Sequence, residues 1–570
     1  MPQLELDLRE PHSQRLDARL CFTPRSTNLG LSLPRWTPGS YLLREYVGQL
    51  EGLQLHQQGI ALAPRRVTPF RWELELASLA PVTITYGVQA TELSVRTAHL
   101  NDEHGFLPLA AIVLQIDGER WSPHRLRLLL PPGWQAFVPL PEQDDGGWLA
   151  SDFDQLIDSP VEVGPHPCHR FDVAGVPHRW VGWGGDVPQQ DQEWLADVHR
   201  VCLACCRLMG QQRPAADDYL FVLHLTESGY GGLEHDTSTV LQFGRRRLTG
   251  PVGRRKLLQL VAHEYLHQWN VRRLRPSQLV PIDYDRAVVV PTLWFAEGIT
   301  SYVDQLLPHA AGCCPAHEVL EDLAEDLGRY LGSQGRSVQS LRASSEEAWV
   351  KLYRPHPHAA NQQVSYYLKG AVLALVLDLH LRRQGAWLGA VLQDLWRSHG
   401  TSRRGYCDDD LIDAFARHDP DLRTLLPHWL TSTEDPPLEQ LLLSEVGLRL
   451  EPLRPTVVAL GWQLEQRPAG GLWVTRTSRG GAAQQAGLQV GDELIALGQE
   501  RVRQQDDLNQ LLASVVPDQP LELLVSREGL LRRYTLHPGP AKPERWQLRV
   551  DADAPPPVHQ RRDAWLQLRP

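Results

Sequence analysis

The 570-residue chain lacks most features that assign a protein quickly to a class. It has no basic stripe, and its net charge of −11 repels a phosphate backbone, so nucleic acid is excluded as a partner. Its opening, M-P-Q-L-E-L-D-L-R-E, has no basic segment followed by an apolar core, so no secretory signal is expected. No apolar run approaches the length of a bilayer span. The nearest, Ala371 to Leu377, is far too short, and no membrane partner is expected. Both absences make the cytoplasm the expected compartment. Cys202 and Cys205 form a C-x-x-C, but no second pair completes a tetrahedral zinc set. The eight cysteines include adjacent pairs at 205–206 and 313–314, an awkward geometry for disulfides, so buried reduced thiols are expected. A G-x-S-x-G elbow is missing. The one Gly-rich stretch breaks G-x-G-x-x-G at Glu234 and has no Walker lysine after it. No repeat of solenoid or propeller period is visible.

What is present is an ordinary globular composition, 42% hydrophobic and 22% charged, long enough for about three to four domains. Residues 1–168 are rich in short alternating strands, such as Val67 to Ala77 and Val82 to Val95, and read as a β-sandwich-like domain. Residues 169–445 carry helical patterns at Gln192–Met209, Ala316–Leu331, Tyr367–Gly385, Trp387–Arg397 and Asp408–His418. They also hold a strand-like run, Tyr219 to Leu225, and a Gly-rich turn, Ser228 to Gly232. Thr431 to Pro437 starts a linker. Residues 446–545 turn β-rich again, with a helix near Gln505 to Ser514, and 546–570 read as a loosely held tail. The fold class is therefore multidomain α+β.

His263 to Trp269 read H-E-Y-L-H-Q-W, after the apolar run Leu257, Leu258, Leu260 and Val261. Helix positions four apart share a face, so His263 and His267 can offer two imidazole nitrogens to one Zn²⁺. Glu264 lies beside them, free to act on a water at the metal. The match is short enough to arise by chance between two unrelated histidines and a solvated glutamate, so it needs support. A catalytic zinc requires one further protein ligand. Thirty residues past His267 comes L-W-F-A-E-G-I-T-S-Y with Glu297 at its centre, and spacing alone leaves that carboxylate a ligand candidate or a surface glutamate.

The stretch H-E-Y-L-H-Q-W-N-V-R-R-L-R-P (263–276) followed by L-W-F-A-E-G-I-T-S-Y resembles the glycyl aminopeptidase family of gluzincin metallopeptidases. That family shares its catalytic fold with thermolysin and the aminopeptidase N clan. W-T-P-G-S-Y-L-L-R-E-Y (36–46), G-Y-G-G-L-E-H (229–235) and S-Y-Y-L-K-G (365–370) resemble further family segments in the same order. The resemblance implies a thermolysin-like, mostly helical catalytic domain with one Zn²⁺ per chain held by His263, His267 and Glu297. It makes Glu264 the general base and Tyr367 of Y-x-K-G the phenolic donor to the oxyanion. Tyr366 is the neighbouring alternative, favoured against only by register, and Lys369 reads as a structural partner. Zinc brings the pKa of its water to about 7 and polarises the scissile carbonyl. Ligation needs neutral imidazoles, so activity is expected to fall in acid.

Gly231, Gly232, Glu234 and His235 resemble the clan's G-x-M-E-N-like segment, whose glutamate binds the substrate's free α-amine; His235 stands where that clan has Asn. The alternative is a surface turn with a solvated glutamate. The resemblance implies an aminopeptidase taking peptides with a free N-terminus and small first residues, glycine and alanine. The rivals are a zinc endopeptidase or broad peptidase, and a PDZ adaptor with a degenerate protease domain. His224, His309, His356 and His358 are set aside as lone, non-ligand histidines. G-G-A-A-Q-Q-A-G-L-Q-V-G-D-E-L-I-A-L (480–497) resembles a bacterial PDZ signature. A PDZ groove captures a peptide C-terminus by β-augmentation, with Leu460, Gly461 and Trp462 as candidate carboxylate loop and Asp507 to Leu512 as the opposite wall.

Overall fold

The structure is a computed structural model and describes residues 1–453, 458–468, 470–543 and 545–570. The chain forms two compact units. One comprises Met1–Val288, Leu307–Cys313 and Leu392–Cys407; the other comprises Val289–Leu306, Cys314–Val391 and Asp408–Pro570.

The first unit begins with three sheets of seven, five and four strands. Alternation builds them: in Arg15–Phe22 the apolar Leu16, Ala18, Leu20 and Phe22 are buried while Asp17 and Arg19 face out, the period-2 pattern of a half-buried strand. A further five-stranded sheet runs Cys168–Val173, Val176–Trp183, Tyr219–Thr226, Ser238–Gly244, Tyr230–Glu234. Its middle strand is parallel to both neighbours and buried along nearly its whole length, as expected for a strand covered on both faces. Tyr230–Glu234 is an edge strand antiparallel to Ser238–Gly244, not the turn expected at Ser228 to Gly232. Glycines without side chains lie flat along the sheet edge where other groups approach closely. Val95, Phe106 and Phe137 from the N-terminal β-rich part share a core with Val181, Leu220 and Val240. The helices Trp194–Leu208 and Gly250–Leu266 pack together. Cys202, Cys205 and Cys206 are buried free thiols, and burial raises Cys202 and Cys205 well above the usual thiol range.

The second unit is helical up to Val446, with Ala316–Gly332, Tyr366–Arg383 and Leu438–Val446 among its helices. Residues 359–383 are, by length and composition, apolar enough to cross a membrane, against expectation. Of the apolar window in that stretch, 83% is buried inside the protein, the pattern of a core helix. The PDZ region follows, with strands Trp462–Gln466, Leu472–Thr477, Glu493–Leu497, Leu521–Arg527 and Leu530–Leu536 in spatial order. They enclose Leu472, Val474, Leu494, Leu508 and Val525. Two side-chain amides clamp this region to the helical part. Asn361 donates to the Thr477 carbonyl at 2.7 Å and accepts from Arg479 N at 3.1 Å. Gln334 accepts from Arg479 N at 3.0 Å and donates to its carbonyl at 3.0 Å.

The expected loose tail is instead ordered. Arg545–Val550 pairs antiparallel with Leu448–Leu453, and Pro556–Leu566 is a helix. Trp565 is fully buried, and its indole donates to the Tyr302 hydroxyl at 2.6 Å. A buried tryptophan of this size anchors a terminal helix that Pro555 to Pro557 alone would not hold.

Candidate active site

In the first unit, the helix Gly250–Leu266 carries His263 in its last turn, and His267 continues it with right-handed φ and ψ as the C-cap. The two imidazole rings stand 4.7 Å apart at 85°. His267 Nδ1 lies 2.6 Å from the Asn270 carbonyl. Donation to that carbonyl fixes the tautomer and leaves Nε2 with its lone pair outward, the orientation a metal ligand needs. Glu264 is buried. The edge strand runs so close that a Cβ on Gly232 would sit 2.3 Å from Glu264 Oε1 and would force the catalytic candidate to shift.

Glu234 ends that strand and is 3% exposed, which disposes of the solvated-turn alternative. Its carboxylate, that of Glu264 and a ring nitrogen of His267 all lie within 4.8 Å of one another. Glu234 Oε1 has no hydrogen-bond partner among the described residues. Gly39 of the W-T-P-G-S-Y motif, at φ +85°, packs so tightly that a Cβ would meet both Glu234 oxygens at 2.5 Å. The N-terminal motif thus shapes the surroundings of Glu234, a role its sequence did not reveal. His235 Nδ1 bonds Asp158 at 3.0 Å, and Asp158 in turn pairs with Arg272 at 2.7 Å. Arg272 and Arg403 both pair with Asp236. The arginines after the histidine motif therefore pin the segment behind Glu234. They hold Asp236 far below the usual carboxylate range despite its burial.

In the second unit, Glu297 lies in a single π-helical turn, Trp294–Gly298, and is 2% exposed. Such turns concentrate at functional positions. Gly298 faces Gly370 so closely that a Cβ would come within 2.5 Å of the Gly370 Cα. This contact is the physical content of the final glycine in Y-x-K-G. Tyr367 opens the helix Tyr366–Arg383, with Ser365 Oγ accepting from its backbone N–H at 3.2 Å. Burial first, and the Glu297 charge second, push its phenol well above the usual range, so it stays protonated and able to donate. Its hydroxyl lies 3.3 Å from that of Tyr353, a partner missed in the sequence because it sits in the irregular stretch before R-P-H-P-H. Tyr366 is fully buried and stacks on Tyr367 at 4.7 Å. Lys369 donates to the Arg336 and Gln339 carbonyls at 3.0 and 3.3 Å, tying down the loop before Leu341.

In the PDZ region, Leu460, Gly461 and Trp462 line a cavity of about 920 Å³ with Asn509 and Leu512 of the helix Gln505–Leu512. Gln334 and Arg336 of the helical part line its other side.

Residues 256–373 match the M61 glycyl aminopeptidase, 3–165 the peptidase M61 N-terminal domain, and 473–527 a PDZ domain. The chain thus matches the M61 glycyl aminopeptidase models over its N-terminal and catalytic regions. A solved structure of an aminopeptidase N family protein from Idiomarina loihiensis superposes with a TM-score of 0.93 at 28% identity, covering 99% of this chain and 100% of that one. Legionella pneumophila aminopeptidase A, solved with aspartic acid, superposes at 0.48 with 15% identity over 87% of this chain and 53% of its own, too distant to carry an argument. No curated protein matches the chain. Family and neighbour together support a peptidase with a β-rich N-terminal domain and a C-terminal PDZ domain.

Proposed function

We propose that the chain is a zinc aminopeptidase that removes small N-terminal residues, glycine and alanine, from peptides. His263, His267 and Glu297 would hold one Zn²⁺. They are one of the residue groups with a donor set suited to a metal ion, and two imidazoles with one carboxylate are a standard catalytic zinc set. The orientation of His267 by the Asn270 carbonyl supports the same reading. When bound, the zinc supplies Lewis acidity toward the scissile carbonyl and lowers the pKa of a bound water.

Glu264 takes the proton from the attacking water and passes it to the leaving amine. Tyr367, kept protonated by burial, donates its phenolic hydrogen to the developing oxyanion, a class of contact worth about 10²–10³ in rate. Glu234 receives the substrate's α-ammonium, with Gly231, Gly232 and His235 forming the strand edge around it.

The observation that carries the exopeptidase reading is the crowding of the Glu234 and Glu264 carboxylates within 4.8 Å, with Glu234 Oε1 unpartnered. An α-ammonium arriving at Glu234 would pair with its carboxylate, whereas an internal peptide segment brings no such charge. A peptide C-terminus would occupy the PDZ groove at Leu460, Gly461 and Trp462. Eight free cysteines support the cytoplasm as its compartment.

The test is hydrolysis of glycyl- and alanyl-arylamides, with and without chelator, beside their N-acetylated forms. Chelation abolishes turnover and acetylation blocks it. Glu234→Ala loses chiefly the preference for free amines. Equal turnover of acetylated substrates would leave Glu234 without the assigned role.

A further inference from the structure

A second histidine–carboxylate cluster lies wholly within the first unit, away from the helix Gly250–Leu266 in sequence and unused by the chemistry above. His104 sits in the turn before Gly105–Leu107, Glu162 on Val161–Gly164, and His224 on Tyr219–Thr226. All three are at most 1% exposed. His104 Nδ1 lies 2.9 Å from Glu162 Oε1, and His224 Nε2 lies 2.9 Å from Oε2. His166 Nε2 approaches Oε1 at 3.0 Å, so one buried carboxylate faces three imidazoles.

We propose that His104, His224 and Glu162 form a second metal site, for a first-row divalent cation of the Zn²⁺ type. The ligand atoms of the first three all lie within 4.8 Å of one another. Two imidazole nitrogens and one carboxylate oxygen supply three of the four positions of a tetrahedral zinc ion. Ligands about 2.1 Å from a tetrahedral ion are separated by about 3.4 Å. The present N···O spacings of 2.9 Å therefore open by about 0.5 Å on loading, within the reach of small ring rotations.

A metal takes the inner nitrogen, so the ring proton moves to the outer one. The outer nitrogens, Nε2 of His104 and Nδ1 of His224, are buried and have no hydrogen-bond partner among the described residues. Moving the proton there breaks no bond beyond those to Glu162. An ion at the inner nitrogens also neutralises the Glu162 charge, which the described contacts meet only with imidazoles. The site would be structural. Its ligands come from the N-terminal five-stranded sheet and from the central strand Tyr219–Thr226, so the ion cross-links two layers of the first unit. Trp183, stacked on His104 at 4.3 Å, covers one ring face.

The test uses the full chain with His263→Ala and His267→Ala, which removes the metal site proposed for catalysis and keeps the two readings separate. After loading with Zn²⁺ and gel filtration, metal analysis should find one equivalent per chain, and added Zn²⁺ should raise the melting temperature. Adding His224→Phe should bring the content to zero. No bound zinc in the cooperatively melting double variant overturns the proposal, as does an equivalent that survives His224→Phe. If the double variant does not melt cooperatively, the wild-type chain is titrated with Co²⁺. Two equivalents of inner-sphere d–d absorption support the second site; one or none overturns it.

Discussion

The two halves of the proposed catalytic site are assembled by different physics. One half rides on a single helix end, where His263 and His267 share a face and Glu264 projects beside them. The other depends on a glycine-to-glycine contact between segments about seventy residues apart, Gly298 against Gly370, which sets the π-turn of Glu297 beside the helix of Tyr367. The first half is therefore a matter of helical period, with the edge strand at Gly232 closing on Glu264. The second is a matter of packing, and small additions to the backbone should disturb it.

The largest effect tests the helix half. Glu264→Gln keeps the charge-neutral shape and the histidines, so metal content should stay intact while kcat falls by about 10²–10⁴. Full activity in that variant would end the assigned mechanism. The next tests the packed half through its buried lysine. Burial lowers Lys369 to about 8, from 10.5 in a free chain. Between those values the unfolded chain binds more protons, so stability rises with pH, by at most about 3 kcal/mol. Denaturant titrations from pH 8 to 10.5 should show this rise, and Lys369→Met should flatten it. Gly298→Ala should cost about 1–3 kcal/mol, because the added carbon meets Gly370 backbone rather than a yielding side-chain tip. It should also lower metal affinity, whereas an alanine at an exposed position of the helix Gly250–Leu266 should do neither. The smallest effect is expected from Tyr353→Phe. Loss of the hydroxyl 3.3 Å from Tyr367 should reduce kcat by a few-fold, consistent with one hydrogen bond of about 0.5–1.5 kcal/mol, with KM nearly unchanged.

The same division governs what the sequence disclosed. Motifs whose residues lie on one element were legible: the histidine pair by its spacing, the α+β class by its switch from period 2 to period 3.6, the PDZ region by its glycine pattern. Three features were not. The strand Tyr230–Glu234 reads as a turn at its glycines, although the resemblance singles out Glu234 itself. The last twenty-five residues read as a tail, because nothing local announces that Trp565 finds Tyr302. His224 reads as a lone histidine, yet it and His104 meet Glu162 from segments far apart in the chain. Clusters built across strands leave no periodic trace, however many metal-binding residues they contain.

The amide clamp of Asn361 and Gln334 on the backbone at 477–479 has a practical corollary for anyone dissecting the molecule. Severing the chain before the PDZ strands would strand a carboxamide that is 6% exposed, on the stretch leading directly into Ser365 and Tyr367. A shortened enzyme that proved sluggish would thus report a damaged loop before it reported anything about peptide capture.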